Sequence, residues 1–303
     1  MCGTCGCGDE AVTTIVNLQS GKEVSMARDH DHGHAAETSH AHTAEAAHDT
    51  HEHVHADGTR HAHPHVYDHA HENGHASAVV HLEARVLAKN EALAARNRAW
   101  FAGREILALN LVSSPGAGKT TLLERTIRDL REELGILVIE GDQATAADGA
   151  RIRAAGAPAV QVNTGTGCHL EADMVARALS ELRPPAGAVV MIENVGNLVC
   201  PALFDLGERA KVVILSVTEG DDKPPKYPHM FRAAELMILN KIDLLPHVDF
   251  DVASCIAHAR EINPAIVTLK LSARTGEGID AWHRWLCDQR TAFCRGAFEL
   301  AGW

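Results

Sequence analysis

No run of apolar residues in this 303-residue chain is long enough to cross a membrane, which argues against a helical span. The opening Met1-Cys2-Gly3-Thr4-Cys5 lacks the regions of a secretory signal. Positive charge is also in short supply. With 28 Lys and Arg against 40 Asp and Glu, the formal net charge is −12, so neither nucleic acid nor membrane is expected as a partner. The missing secretory signal changes the meaning of the eight cysteines. In a reducing cytoplasm, where the chain is expected to reside, clustered thiols serve as metal ligands or catalysts rather than as disulfides.

Large apolar residues are almost missing between Asp29 and His81, a tract holding sixteen of the 21 histidines, interleaved with Ala, Asp, Glu and Gly. Such a stretch buries too little surface to offset its ordering entropy, so residues 29–81 are expected to be disordered. Imidazole suits Ni2+, Zn2+ and Cu2+, and the tract reads as a metal buffer of many weak, exchangeable sites. Ahead of it, residues 1–10 carry Cys2, Cys5 and Cys7, separated by Gly and Thr. Thiolates this close can wrap one metal ion without a folded scaffold. The α-amino group is a candidate fourth ligand, giving a donor set suited to tetrahedral Zn2+ or square-planar Ni2+.

Residues 82–303 are expected to form the folded part, organised around Ser113-Ser114-Pro115-Gly116-Ala117-Gly118-Lys119-Thr120-Thr121. Apolar Ile106 to Val112 reads as a buried strand, and Leu122, Leu123, Ile127, Leu130 and Leu134 repeat on one face of a helix from Thr120 to Leu134. Strand, glycine-rich turn, Lys-Thr and helix make a phosphate-binding P-loop. Gly116, Ala117 and Gly118 form the loop whose backbone N–H groups close around phosphate at a helix N-terminus. Lys119 would reach the β/γ-phosphates, Thr120 would offer its hydroxyl to Mg2+, and Thr121 completes the set. The general pattern begins with Gly, and Ser113 stands there instead.

Helical spacing of Leu82, Val86, Leu93 and Trp100 predicts a leading helix that packs on the domain. Beyond the P-loop helix, strands predicted at Ile136 to Glu140, Ala159 to Val162, Ala188 to Glu193, Val212 to Val217, Leu236 to Asn240 and Ile266 to Leu271 alternate with helical patterns. This predicts a doubly wound, mostly parallel α/β sheet with ligands at the carboxyl ends of its strands.

Asn240-Lys241-Ile242-Asp243 ends one such strand as N-K-x-D. The Asp243 carboxylate can accept from the N1 and N2 donors of guanine, whereas adenine presents an acceptor at N1. Asn240 is expected on the O6/N7 side and the Lys241 stem under the base. Ser272, Ala273 and Arg274, after the next strand, would bring a backbone N–H near O6. Glu193 closes another strand and, with Gly196 beyond it, looks like a switch that senses the γ-phosphate. Asp142 sits where an acid of the Mg2+ shell or a water-positioning group would be. Cys168-His169, expected to open a helix from Leu170 to Leu182, and Cys200 form an incomplete tetrahedral metal set. On spacing alone, two structural cysteines and a surface histidine remain an alternative.

The Cys-rich start, L-V-S-S-P-G-A-G-K-T-T (Leu111 to Thr121), Glu140-Gly141-Asp142, Thr164 to Leu170, I-E-N-V-G-N-L-V-C-P (Ile192 to Pro201) and Asn240 to Asp243 together resemble the hydrogenase nickel-incorporation GTPase family, HypB. The resemblance implies a GTPase of the signal-recognition and MinD-like class that binds GTP and GDP with Mg2+ and dimerises around nucleotide. Lys119, Asp142 and Glu193 are the expected catalytic residues, and Thr120, Asp142 and Glu193 the expected Mg2+ ligands. The resemblance also implies Ni2+ delivery to the [NiFe]-hydrogenase large-subunit precursor with a HypA-type nickel accessory protein. Metal is implied at Cys168, His169 and Cys200 near the dimer interface. A second reading, of a nickel storage and detoxification protein with a regulatory nucleotide site, draws on the histidine tract and the Cys start.

Overall fold

The computed structural model describes residues 13–26, 50–54, 60–64, 71–142 and 147–301. The Cys2, Cys5 and Cys7 motif and much of the histidine tract lie outside these residues. The elements begin with β1 (Thr13–Asn17), β2 (Glu23–Met26), β3 (Thr50–Val54), β4 (Arg60–Pro64) and α1 (His71–Ala102). The P-loop region follows as β5 (Leu107–Ser113) and α2 (Lys119–Leu130), then β6 (Ile136–Asp142), α3 (Ala147–Ala155), β7 (Ala159–Asn163), α4 (Ala172–Leu182) and β8 (Val189–Glu193). Next come α5 (Cys200–Leu203), β9 (Ala210–Ser216), α6 (Lys223–Lys226), α7 (Pro228–Ala233) and β10 (Ala234–Asn240). A 3-10 turn (Ile242–His247), α8 (Val252–Ile262), β11 (Val267–Lys270) and α9 (Ile279–Ala301) complete the chain.

Two compact units divide it: residues 28–86, and residues 87–303 together with the first 27. In the smaller unit β3 pairs antiparallel with β4, setting His51 opposite His63 and His53 opposite His61. Residues 71–81 lie in α1. These stretches are the part of the tract 29–81 that the structure describes, and the rest of it lies outside the described residues.

The larger unit holds a nine-stranded sheet among the described residues, ordered β11-β10-β9-β5-β8-β6-β7-β1-β2. From β11 to β7 the pairings are parallel, as expected for strands alternating with helices. β1 adds antiparallel to β7, placing Ile15 beside Val162, and β2 closes that edge. Alternation along β5 divides the core. Leu107, Leu109 and Leu111 pack with α2 and α9, while Ile106 and Ala108 pack with Phe101 and α4. Helices therefore cover both faces. Trp282 of α9 is fully buried, and its Nε1 donates to Thr126 Oγ1 of α2 at 2.8 Å. Each fully buried Leu or Ile of this core contributes roughly 1.5–3 kcal/mol relative to exposure.

The leading helix presents a different face from the predicted one. Val86 is exposed and Leu93 and Trp100 are half-buried, whereas Asn90, Ala94, Asn97 and Phe101 are buried. Two of those positions are polar because they bind backbone. Asn97 Nδ2 donates to Ala172 O at 2.8 Å and Leu206 O at 3.0 Å. Asn90 Nδ2 donates to Asp205 O at 2.7 Å, and its Oδ1 accepts from Ala172 N at 2.9 Å. Asn90 thus caps α4 from another helix.

Candidate nucleotide and metal sites

The P-loop joins β5 to α2, with Gly116 at φ 78° and Gly118 at φ 98°, a region that favours glycine. A Cβ at Gly118 would lie 2.5 Å from Asn240 Nδ2, so this position needs glycine for space as well as for backbone. Ser113, the departure from the general pattern, has a job. Its Oγ accepts from Lys119 Nζ at 2.8 Å and holds the buried ammonium at the base of the loop. Burial pushes the Lys119 pKa down, opposed by the neighbouring Glu193.

Gly116, Gly118, Lys119 and Glu193 border a cavity of about 480 Å3 at the carboxyl ends of β5, β6 and β8. Thr120 Oγ1 donates to Glu193 Oε1 at 2.7 Å, while Glu193 Oε2 is buried without a hydrogen-bond partner. Glu140 stands beside Glu193 in the β6–β8 register, and its Oε2 is also buried and unpartnered. Burial raises Glu193 to about 7 and, with the Glu193 and Asp142 charges added, Glu140 to about 9. Two partnerless carboxylate oxygens beside a threonine hydroxyl are a donor set that fits Mg2+. Asp142 lines the same cavity from the end of β6. Sequence reasoning named the Glu140-Gly141-Asp142 motif yet gave Glu140 no role. Its signal was an acid ending the apolar run Ile136 to Ile139.

The base-reading segment sits beside the loop. Lys241, at φ 62°, donates from Nζ to Gly116 O at 2.7 Å and lines the cavity. Asn240, expected on the O6/N7 side, also bonds within the protein. Its Nδ2 donates to Ala117 O at 2.9 Å and its Oδ1 accepts from Ala273 N at 3.1 Å. It braces the P-loop against the next turn, because a buried amide takes every partner within reach. The Ala273 N–H is thereby bonded within the protein, and Ser272 N donates to Glu277 O at 2.8 Å. Asp243 is half-buried in the 3-10 turn.

Cys168 and His169 lie before α4 rather than opening it. The turn holding them is set by Gly167 N donating to Thr164 O at 2.9 Å and Thr164 Oγ1 donating to Gly167 O at 2.6 Å. Cys200 opens α5, with Pro201 in its first turn. The two Sγ atoms are 3.2 Å apart, and His169 Nδ1 is 3.7 Å from Cys168 Sγ. All three ligand atoms lie within 4.8 Å of one another, a separation that one ion with S and N ligands at about 2.0–2.3 Å spans. The structure thus brings together the set that spacing left open. Burial lowers the His169 pKa to about 4, so the imidazole is neutral at pH 7 and able to ligate. Its ring packs on Phe204 with centroids 4.0 Å apart, and Nε2 is buried without a hydrogen bond.

Both sites meet on the connection after β8. Asn194 follows Glu193, and its Oδ1 accepts from Leu170 N at 3.1 Å and Val195 N at 3.0 Å. Its Nδ2 donates to Asn110 Oδ1 at 3.2 Å, and Asn110 Nδ2 donates to Glu208 Oε1 at 3.1 Å. The buried Glu208–Lys211 ion pair continues to Phe204, whose carbonyl accepts from Lys211 Nζ at 3.1 Å. Asn197 Nδ2 donates to Cys168 O at 3.3 Å. A second link runs from the carbonyl of Asp142, which accepts from Thr164 N at 2.8 Å. Sequence reasoning missed this network, although an Asn within the apolar run of β5 was a visible signal.

Residues 107–270 match the family described as CobW/HypB/UreG, nucleotide-binding domain. A hydrogenase maturation factor HypB from Rhizobium leguminosarum bv. viciae is 61% identical over 208 residues, covering 69% of this chain and 70% of that protein. The Escherichia coli hydrogenase maturation factor HypB is 60% identical over 214 residues, covering 71% and 74%. Among solved structures, HypB from Archaeoglobus fulgidus superposes with a TM-score of 0.63 at 39% identity, covering 67% of this chain and 99% of that one. HypB from Helicobacter pylori in complex with nickel gives a TM-score of 0.63 at 35% identity, covering 67% and 96%.

Proposed function

The chain belongs to the HypB family of hydrogenase maturation factors, and on that premise we propose that it hydrolyses GTP to drive nickel from the Cys168–His169–Cys200 cluster toward a [NiFe]-hydrogenase large-subunit precursor. The observation carrying this reading is the direct connection of the two sites. Glu193 bonds Thr120 in the phosphate cradle, and the adjacent Asn194 bonds the backbone one residue beyond His169.

In this reading the P-loop amides and Lys119 bind the β- and γ-phosphates, and Asp243 selects guanine. Thr120, Glu193 and Asp142 would hold Mg2+, which supplies charge neutralisation to the transferring phosphoryl group. Glu140 keeps its proton until a cation arrives, so the cradle does not place four adjacent acids in their charged forms at once. Catalysis is positioning and electrostatics, with no covalent role for the protein. Among the described residues the cluster supplies two thiols and one imidazole, leaving an open position for a fourth ligand, unlike a closed four-ligand structural site. An open position suits cargo that must leave, and the same donors accept Zn2+. Val199 and Leu203, each 55% exposed, flank Cys200 and offer an apolar surface for a GTP-dependent homodimer, with a HypA-type accessory protein as the source of nickel.

Deleting residues 29–81 tests delivery against storage. A delivery GTPase keeps hydrogenase maturation at adequate nickel, whereas a storage protein loses its purpose with the tract. Loss of maturation in the deletion variant at high nickel would overturn the delivery reading.

A further inference from the structure

Arg151, on α3, is the one arginine among the described residues lining the nucleotide cavity, and nothing above gives it a role. Its guanidinium is held at three points. Nε and Nη2 donate to the two carboxylate oxygens of Glu124 at 3.3 and 3.0 Å, a two-point grip that fixes the plane of the fork. Nη2 also donates to Thr121 Oγ1 at 3.2 Å, in the first turn of the P-loop helix. Nη1 donates to Asp148 Oδ1 at 3.0 Å, and Asp148 lines the same cavity.

The surroundings decide what this arrangement can do. Lys119, Arg151 and Lys241 are the cationic side chains among the described residues bordering the cavity, against Glu140, Asp142, Asp148 and Glu193. Lys241 is tied to Gly116 O and Lys119 to Ser113. A nucleoside diphosphate brings further negative charge to the unpaired N–H groups at the start of α2, beside the Thr121 hydroxyl that Arg151 touches. A fork anchored on Glu124 and facing that helix start can exchange the carboxylate of Asp148 for a phosphate oxygen without moving its plane. Asp148 therefore competes with the nucleotide for Nη1.

We propose that Arg151 is a nucleotide-phosphate ligand contributed by α3, held in place by Glu124 and occupied by Asp148 until a guanine nucleotide displaces it. The assignment deepens the nucleotide-site reading and rests on it. Two substitutions give opposite signs. Arg151→Ala weakens GDP binding roughly tenfold or more, the scale of one charge-assisted bond, and Arg151→Lys restores part of it because the charge remains but the fork is lost. Asp148→Asn tightens GDP binding, because the competing carboxylate is gone. A merely structural ion pair would make both changes act in the same direction.

The experiment measures GDP affinity of the full chain with a fluorescent GDP analogue in the absence of Mg2+, so that metal ligation does not enter, together with nucleotide-free melting to verify folding. Lys119→Ala serves as the control for the P-loop itself. Weakening by Arg151→Ala with tightening by Asp148→Asn supports the assignment. If Lys119→Ala weakens binding while Arg151→Ala leaves it unchanged, or if Asp148→Asn also weakens it, the assignment is overturned and the P-loop reading stands. If Lys119→Ala has no effect, it is the P-loop reading that fails.

Discussion

The phosphate cradle and the thiol–imidazole cluster lie on the same connections of the sheet and are prepared in opposite ways. Two acids of the cradle have their pKa values raised by burial, Glu193 to about 7 and Glu140 to about 9. The cluster holds a histidine stripped of its proton by burial, at about 4. On the proposed function, the first region would receive cations and phosphate, and the second a soft metal at neutral pH. The same physical cause, desolvation of the charged form, produces both, because it raises carboxyl pKa values and lowers that of imidazole. Nothing in the residue types alone connects the two sites. The connection is made by Asn194 and by the carbonyl of Asp142, which tie the acids to the backbone around Cys168 and His169.

The comparison breaks most sharply if each site can be removed without the other. Lys119→Ala should abolish measurable GTP binding, with at least a 100-fold loss, since a buried ammonium at the phosphates carries a charged bond and more. The nucleotide-free variant should keep its nickel affinity at the cluster. Cys168→Ser with Cys200→Ser should do the reverse, and calorimetric titration of both ligands into both variants checks the pair.

A second test uses pH. In the metal- and nucleotide-free protein, Glu140 and Glu193 have folded pKa values above the ordinary 4.5, so their contribution to stability is present below that value and is lost as pH rises toward about 7 and 9. His169 has a folded pKa below 6.5, so its penalty is absent above 6.5 and grows as pH falls toward about 4. Denaturant unfolding between pH 6.5 and 9 should therefore show stability falling by on the order of a few kcal/mol, and Glu140→Gln should flatten that limb. An unchanged slope in the variant would remove Glu140 from the account.

Smaller effects sharpen the picture. Asp243→Asn should weaken GTP and favour xanthosine triphosphate, by roughly 5- to 150-fold for one mismatched buried pair, in a competition assay. Asn194→Ala should leave each affinity nearly intact when measured alone while reducing the mutual effect of nucleotide and metal, a coupling typically of about 1–3 kcal/mol.

Much of this was legible in the sequence, for identifiable reasons. The parallel strands were readable because each is buried on both faces, so β5, β8, β9 and β10 appear as continuous apolar runs. β1 and β2 escaped because an edge hairpin buries little beyond Thr13 and Ile15, although Gly21 at φ 69° follows a β-branched run and marks its turn. The face of α1 was misread because two of its buried positions are Asn90 and Asn97, which an apolar period cannot reveal. Glycine and lysine located the P-loop, since few other residues can do their work there. The cluster needed three dimensions: Cys200 is far along the chain from Cys168, and only the fold sets their sulfurs 3.2 Å apart. Arg151 carried no sequence mark of what it touches, because an arginine on a helix is ordinary, and N-K-x-D marks Asn240 without showing that it braces the P-loop.

The most direct test is the metal affinity of the cluster in two nucleotide states. The protein for it lacks residues 29–81 and carries Cys2→Ser, Cys5→Ser and Cys7→Ser, which leaves Cys168, His169 and Cys200 as the thiol–imidazole site. Ni2+ and Zn2+ are titrated into its GDP form and into its form with a non-hydrolysable GTP analogue. The account predicts affinities that differ by about 5- to 150-fold for at least one metal, with the same factor recovered when nucleotide is titrated into metal-loaded and metal-free protein. Identical affinities in both nucleotide states, for both metals, would contradict it and leave the cluster a static part of the fold.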